Sequence, residues 1–321
     1  SNDASYPDRS SLAETFEQIE DDLVKAEELV TTAGVPNSAY ITKDVVRALR
    51  ARVALEKEDY QGAISAATSL IGSGTYPLMT DAAAYADMWL HDNGTEAIWQ
   101  FAMIKGQETG PNTLGSAFSG IIDVLPRPSY IPTTTVLNLY DQENDIRYAA
   151  YFTYDSIDAQ SVSDFMLTYC KKWPGNPELY DGKSNNVNKT KAFRISEMYL
   201  IAAEAYAMSG DETNASKILN ELKAARIKGW SEKTYSGNAL MKEIQNEYVR
   251  ELFAEDPHIF NMKRWKVGLN RSTSEAQVVS YLPALGTDMV KPADNHMWVW
   301  PIPKEEIDSN PQIKGQQNEG Y

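Results

Sequence analysis

The sequence predicts a mostly α-helical protein in which tetratricopeptide-like helical hairpins hold an irregular, loop-rich insert containing a few short strands. Between residues 194 and 226, two runs place apolar residues every three or four positions, which is the period of an amphipathic helix. Gly210 and Asp211 separate the runs, and glycine commonly ends a helix. We expect an antiparallel pair in which Ala203 and Ala215 allow the two helices to approach closely.

A second copy of this pattern occurs earlier, at residues 51–64. Its small residues and its aspartate align with those of the later hairpin: Ala51 with Ala203, Asp59 with Asp211, and Ala63 with Ala215. An ordinary repeat solenoid stacks its units directly along the chain. Here a long segment of different composition separates the two units, so the repeats are expected to form a scaffold that carries an insert.

The composition changes twice along the chain, and these changes define three segments. Residues 1–75 are expected to form helical hairpins, including the first tetratricopeptide-like unit. Residues 76–190 are rich in Gly, Pro, Asn and scattered aromatic residues, and are expected to form an irregular insert with strands near 97–104, 148–154 and 165–173. Residues 191–321 hold the second unit, a further helix and a wrapping C-terminal tail. We expect all three segments to form one compact domain, with the insert as the ligand-binding part.

The charge balance excludes several classes of partner. Lys and Arg number 30 and Asp and Glu number 45, which gives a net charge of −15. A chain this acidic repels nucleic-acid phosphates and anionic lipid headgroups, so neither is an expected partner. No apolar run reaches the roughly 18 residues that suggest a membrane span. Cys170 is the only cysteine, so no intramolecular disulfide can form.

The sequence carries no recognisable catalytic, cofactor or metal motif, so we expect no enzyme and no cofactor. There is no Gly-x-Ser-x-Gly nucleophile elbow, and the glycines at 72 and 74 lack the third glycine of a dinucleotide loop. The three histidines, at 91, 258 and 296, lie far apart. Asp141, Glu143 and Asp145 alternate like calcium ligands, but the sixth and twelfth loop positions are isoleucine and phenylalanine. We interpret this stretch as a solvated turn.

Aromatic residues in the insert are the candidate ligand contacts. An exposed ring can bind a sugar by packing against its C–H face, while neighbouring polar groups bond the hydroxyls. Five residues lie in or beside polar loops and are predicted to contact the ligand: Trp89, Tyr130, Tyr154, Trp173 and Tyr180. The alternative for each is a partly buried anchor, which is common for Tyr and Trp. Trp173 and Tyr180 flank polar side chains that could bond hydroxyls: Asn176, Asp181, Asn185 and Asn186.

Several segments, in the same order as in the family, resemble the SusD/RagB family of Bacteroidetes surface lipoproteins. They are residues 195–205, 219–226, 247–252, 263–265, 300–303, 310–311 and 318–321. The sequence departs from the family pattern at residues 255–258, where Glu-Asp-Pro-His replaces Glu-Gly-His-Arg, and at Glu319, which replaces proline. The family usually begins well before the point matched by residues 5–10, so we expect a fragment, a processed form or an atypical member.

The resemblance implies nutrient capture at the outer membrane. Such a protein would bind an oligosaccharide and deliver it to a TonB-dependent SusC-like transporter, without chemistry of its own. Its only attachment to the membrane would be a lipid anchor on the precursor, absent from this chain. Three alternatives stay open: a peptide-binding member of the same family, a tetratricopeptide scaffold for protein interaction, and a hydrolase with an unrecognised site.

Overall fold

The structure is a computed structural model that describes residues 6–106, 113–120, 128–157, 165–182, 187–255, 258–278 and 289–321. It divides into two compact units. The terminal unit comprises Ser1–Lys25, Pro257–Ser272 and Ala284–Tyr321. The main unit comprises Ala26–Asp256 and Thr273–Pro283.

The described residues are predominantly helical, which confirms the predicted fold class. The α-helices are α1 (Leu12–Leu29), α2 (Lys43–Glu56), α3 (Tyr60–Gly72), α4 (Ala82–Leu90), α5 (Thr134–Leu137), α6 (Ile146–Tyr151), α7 (Ile195–Met208), α8 (Glu212–Arg226), α9 (Gly237–Glu251), α10 (Ile259–Arg264) and α11 (Lys304–Ser309). None of these helices is both long enough and apolar enough to cross a membrane.

In the part of the chain that the structure describes, the short strands form three antiparallel pairs: β1 (Ala97–Gln100) with β4 (Lys191–Arg194), β2 (Phe152–Ile157) with β3 (Phe165–Cys170), and β5 (Leu269–Asn270) with β6 (Val290–Lys291). The strand predicted over 148–154 is partly wrong, because α6 precedes β2. Asp145 caps that helix by accepting the N–H of Arg147 at 3.0 Å. The strand predicted over 97–104 is also shorter and ends at Gln100.

The two predicted hairpins are α2–α3 and α7–α8, and they pack together through α3 and α7 although they are distant in sequence. Asp59 caps α3 and Asp211 caps α8, each accepting a backbone N–H at 3.0 Å. The small residues of both hairpins are fully buried, as close helix approach requires: Ala51, Ala63, Ala203 and Ala215. The first hydrophobic core fills the space among α2, α3 and α7.

A second core supports the insert. Tyr85, Met88 and Trp89 of α4 pack there against residues of α6, β2 and the chain after β3. The hydroxyls of Tyr85 and Tyr151 are hydrogen-bonded at 2.5 Å, and Tyr151 also donates to the Glu251 carbonyl at 3.2 Å. Because their polar ends are bonded, these large rings can be buried without an unpaired hydroxyl.

A fully buried network of charged side chains joins α6, β4, α8 and α9. The carboxylate of Glu251 accepts hydrogen bonds of 2.8–2.9 Å from three guanidinium groups, those of Arg147, Arg194 and Arg226. Burial raises the pKa of Glu251, but the charges of Arg226 and Arg194 outweigh burial and hold it well below its usual range. Glu96 and Glu247 bond the same arginines, so the buried charges are compensated.

The terminal unit joins the two ends of the described chain. The guanidinium of Arg9 donates to Asn318 Oδ1 at 2.7 Å and to the Gln316 carbonyl at 3.2 Å. Asn310 Nδ2 donates to the Pro7 carbonyl at 3.0 Å. Within this unit, the proline-rich tail is therefore held by side-chain hydrogen bonds to the first described residues.

Candidate functional site

An exposed tyrosine projects from the β2–β3 hairpin of the main unit. Tyr154 of β2 is opposite Thr168 of β3, and Ser156 is opposite Met166. Side chains alternate between the two faces of a strand, so Tyr154 and Met166 share one face as diagonal neighbours. The Tyr154 side chain is 66% exposed and Met166 is also exposed. Phe152, at the other end of the same face, lies in the second core.

The outer edge of β3 is held by a glutamine side chain in the place of a third strand. Gln277 Oε1 accepts the N–H of Thr168 at 2.8 Å, and Gln277 Nε2 donates to the Thr168 carbonyl at 2.7 Å. The same Nε2 donates to the Pro132 carbonyl at 2.8 Å. Gln277 therefore joins β3 to the segment that leads into α5.

A second exposed tyrosine lies on this segment. Tyr130 is 62% exposed, and its ring lies 5.3 Å from that of Phe118, at an interplanar angle of 37°. Phe118 belongs to a π-helical turn, Gly115–Ser119, and packs on the second core. The N–H of Ser129 donates to the Ala117 carbonyl at 2.9 Å, which fixes the tyrosine segment against this turn. Turns of this type are often found at functional sites.

We define the aromatic surface as Phe118, Tyr130, Tyr154 and Met166. The π-helical turn packs against β3. Tyr154 lies on the strand that pairs with β3, and Tyr130 follows Ser129, which is hydrogen-bonded to the turn. The rings of Tyr130 and Tyr154 are exposed, and Phe118, which contacts the Tyr130 ring, packs on the second core. Rings held in this way lose little conformational entropy when a ligand packs on them.

Trp89 and Trp173 are placed differently from the prediction, because both are core residues. Each is 1% exposed, and the indole N–H of Trp173 donates to the Ala254 carbonyl at 2.9 Å. The ammonium groups of Lys172 and Lys191 lie 4.3 Å and 4.8 Å from the Trp89 ring centroid. A sugar cannot pack on rings that the protein already covers, so these two residues support the insert from within.

Tyr180 is exposed, but none of its described hydrogen bonds or ring contacts involves the aromatic surface. It follows the short 3₁₀-helix Pro177–Leu179, and its N–H donates to the Pro177 carbonyl at 3.3 Å. Asn176, a predicted hydroxyl partner, is buried and donates instead to Asp92 at 2.9 Å. Asn185 and Asn186 lie outside the described residues. Among the rings described, Tyr180 makes no ring contact with Tyr130 or Tyr154.

Phe118 and Met166 have no sequence signal that indicates a ligand contact. Phe118 lies in a segment whose glycines and polar residues predict a loop, and the π-helical turn has no periodic signature. Met166 falls within a predicted strand, but its face depends on the register with β2. That register is not evident from sequence, because no tight-turn motif joins the two strands.

The alternating acidic residues after α5 form a turn, as interpreted. Asp141 Oδ1 accepts the N–H of Asn144 at 3.1 Å and that of Glu143 at 3.3 Å. Asp145 faces inward and bonds the Arg147 guanidinium at 2.7 Å. Asp141 therefore stabilises the turn, whereas Asp145 belongs to the buried charge network.

The solved structures that resemble this chain share its fold. A SusD superfamily protein from Bacteroides thetaiotaomicron superimposes with a TM-score of 0.80 at 24% identity, over 99% of this chain and 69% of that one. A SusD-like carbohydrate binding protein from Bacteroides vulgatus gives a TM-score of 0.74 at 20% identity, over 97% and 67%.

The sequence comparisons agree. SusD-like protein P38 of Formosa agariphila is 25% identical over 260 residues, which is 70% of this chain and 50% of that protein. This chain thus spans about half the length of the curated relative it matches. The model of the SusD family matches residues 140–321, more than half of the chain. The chain therefore belongs to the SusD family.

Proposed function

We propose that this protein binds an oligosaccharide on the aromatic surface and delivers it to a SusC-like TonB-dependent transporter of the outer membrane. The observation that carries the proposal is the pair of exposed tyrosines. Tyr154 lies on β2, which pairs with β3, and Tyr130 lies on the segment that is hydrogen-bonded to the π-helical turn packed against β3. Family membership supports it, as does the structural similarity to a SusD-like carbohydrate binding protein.

The chemistry of the surface fits the hydroxyl-rich faces of sugars. Tyr130 and Tyr154 offer apolar ring faces together with phenolic O–H groups, which both donate and accept hydrogen bonds. The supporting segments are rich in hydroxyl side chains, among them Thr135, Ser156 and Thr168. Binding would require no bond cleavage, and delivery from the cell surface would make the protein a carrier rather than an enzyme.

Calorimetry against a panel of neutral and charged oligosaccharides tests the binding proposal. Tyr130→Ala and Tyr154→Ala should each weaken binding at least about tenfold, or about 1.4 kcal/mol. Both side chains are exposed, so the free energy of unfolding should change by no more than about 0.5 kcal/mol.

The matched control is Tyr40→Ala, because Tyr40 is 80% exposed and precedes α2, outside the aromatic surface. It should leave affinity unchanged. If all three variants bind as the parent protein does, the aromatic surface is not the site. If peptides bind and sugars do not, the ligand class is wrong. Release of new reducing ends by purified protein would contradict the carrier function.

A further inference from the structure

One short segment of the terminal unit carries positive charge in an otherwise acidic chain. Residues 258–272 hold four Lys and Arg side chains and no Asp or Glu, whereas the whole chain has a net charge of −15. A further lysine comes from β6, which pairs with β5 of this segment. We define the cationic cluster by four of these side chains, which have no carboxylate partner among the described residues: Lys263, Lys266, Arg271 and Lys291.

The end of α10 brings the first two lysines of the cluster together. Lys266 donates its backbone N–H to the Lys263 carbonyl at 3.1 Å, and Val267 donates to the Met262 carbonyl at 3.0 Å. These bonds end the helix with Lys266 in the left-handed conformation, at φ 53°. Glycine is the usual residue there, because a side chain makes this conformation unfavourable. The chain therefore keeps an exposed lysine at a position where glycine would relieve backbone strain.

The β5–β6 pair places the other two cations on one face. Lys291 is opposite Leu269, and the N–H of Arg271 donates to the Met289 carbonyl at 2.9 Å, which continues the same register. Side chains two residues apart along a strand point the same way, so Arg271 and Lys291 are diagonal neighbours. Among the described residues, the Lys291 ammonium bonds the weak acceptor Met297 Sδ at 3.5 Å and no carboxylate. Like charges placed this close repel each other unless an anion lies between them.

The two faces of this strand pair differ, and the difference favours one kind of ligand. Val290 is 60% exposed and is opposite Asn270, so it points away from the face that carries Arg271 and Lys291. A lipid surface is planar and binds best where apolar and cationic side chains share one side. A flexible polymer can instead reach cations on separate elements, and each of its sulfate or carboxylate groups accepts charge-assisted hydrogen bonds from Lys or Arg.

We propose that the cationic cluster is a second binding site, for polysaccharides that carry sulfate or carboxylate groups. The site lies in the terminal unit and uses no residue of the aromatic surface, so it does not depend on the proposed function. The net charge of −15 does not prevent such binding, because physiological salt screens exposed charges that lie beyond about 8–10 Å. At that salt concentration the local cations, rather than the distant carboxylates, determine what binds.

Binding to immobilised dextran sulfate, polygalacturonate and unmodified dextran at about 0.15 M salt tests the site. We expect binding to at least one of the two charged polymers. Two double variants, Lys263→Ala/Lys266→Gly and Arg271→Gln/Lys291→Gln, should each weaken that binding about fivefold. Glycine suits the left-handed position, so Lys266→Gly removes the charge without adding strain. Thermal midpoints of all variants are compared with that of the parent protein, so that unfolding is not mistaken for lost binding.

The matched control is Lys217→Ala/Lys242→Ala, which removes two exposed lysines of the main unit. It should leave binding to the charged polymers unchanged. Equal weakening in the control and in both cluster variants would show that only net charge matters, which overturns the site.

Two further outcomes would also overturn the proposal. Binding to neither charged polymer removes the site. Binding to vesicles of phosphatidylcholine and phosphatidylglycerol, but to neither charged polymer, shows that the ligand class is wrong. None of these results bears on neutral oligosaccharides, so the failure of this proposal and the failure of the proposed function are distinguishable.

Discussion

Trp173 packs edge-to-face on Trp89, with ring centroids 5.2 Å apart and an angle of 83° between the ring planes. Trp89 in turn packs edge-to-face on Tyr151 at 5.8 Å. These rings connect α4 and α6 with the chain that follows β3. The centre of the insert is therefore an aromatic core, and we expect ligand contacts only on the rings outside it.

Replacing Trp173 should destabilise the protein without a specific effect on binding. Trp173→Ala removes a fully buried side chain and the hydrogen bond to Ala254, and should cost about 3–5 kcal/mol of unfolding free energy. Chemical denaturation measures this cost. Tyr180→Ala is the control, since Tyr180 is exposed, and should cost less than about 0.5 kcal/mol. If Trp173→Ala left stability unaltered and abolished glycan binding, Trp173 would be a ligand contact and not a core residue.

The parts of the fold that sequence predicts are those with local signals. Alanines at matched positions and an aspartate that caps the second helix define each hairpin, and both hairpins form as expected. The burial of Trp89 and Trp173 depends instead on α4, α6 and residue 254, which are remote from one another in sequence. A tryptophan at a strand end beside a polar loop is compatible with either outcome, and packing with distant elements decides between them.

The buried charged network was not predictable from sequence either, because it also depends on packing between elements that are distant in the chain. Glu251 is one of 45 acidic residues, and its sequence neighbours do not indicate that three arginines from α6, β4 and α8 surround it. The only sequence signal is its place in a family-like segment.

Of the candidate site, the sequence identified Tyr130 and Tyr154 by their loop or strand context. It did not identify Phe118 and Met166, whose position depends on the turn geometry and the strand register.

Enlarging a small residue at the helix pair should destabilise the scaffold. Ala203 of α7 is fully buried, so Ala203→Leu overpacks the interior and should cost about 1–3 kcal/mol. Ala224→Leu makes the same change at an exposed position of α8 and should be nearly neutral. Thermal and denaturant unfolding compare the two variants. Equal midpoints for both would show that the space around Ala203 tolerates a larger side chain.

The buried network should make stability depend on acid pH. Burial raises the pKa of Glu247, but the charges of Arg147 and Arg250 outweigh burial and lower it from 4.5 to about 2. Because the folded pKa is the lower one, this group contributes full stability above about pH 4.5. That contribution is lost as pH falls towards 2, at about 1.4 kcal/mol per pH unit.

Unfolding free energies measured between pH 2 and pH 6 test this dependence. Glu247→Gln should be less stable at neutral pH, because it leaves Arg147 and Arg250 undercompensated, and should lose stability less steeply below pH 4.5. Glu232→Gln, at an exposed position, should follow the parent curve. Parallel curves for the parent protein and Glu247→Gln would mean that Glu247 does not contribute to the acid sensitivity.

Gln277 should matter for ligand binding as well as for folding. Its amide makes three hydrogen bonds of 2.7–2.8 Å that hold β3 and the segment before α5 together. Gln277→Ala removes them and should cost about 1–2 kcal/mol of stability. The same change frees the two segments that carry Tyr154 and Tyr130 to move apart, so glycan affinity should fall about tenfold, or about 1.4 kcal/mol.

Gln142→Ala is the control, because Gln142 makes a single long bond of 3.5 Å, to the Leu137 carbonyl. An affinity for neutral glycans that is equal in all three proteins would show that binding does not depend on the fixed position of the hairpin.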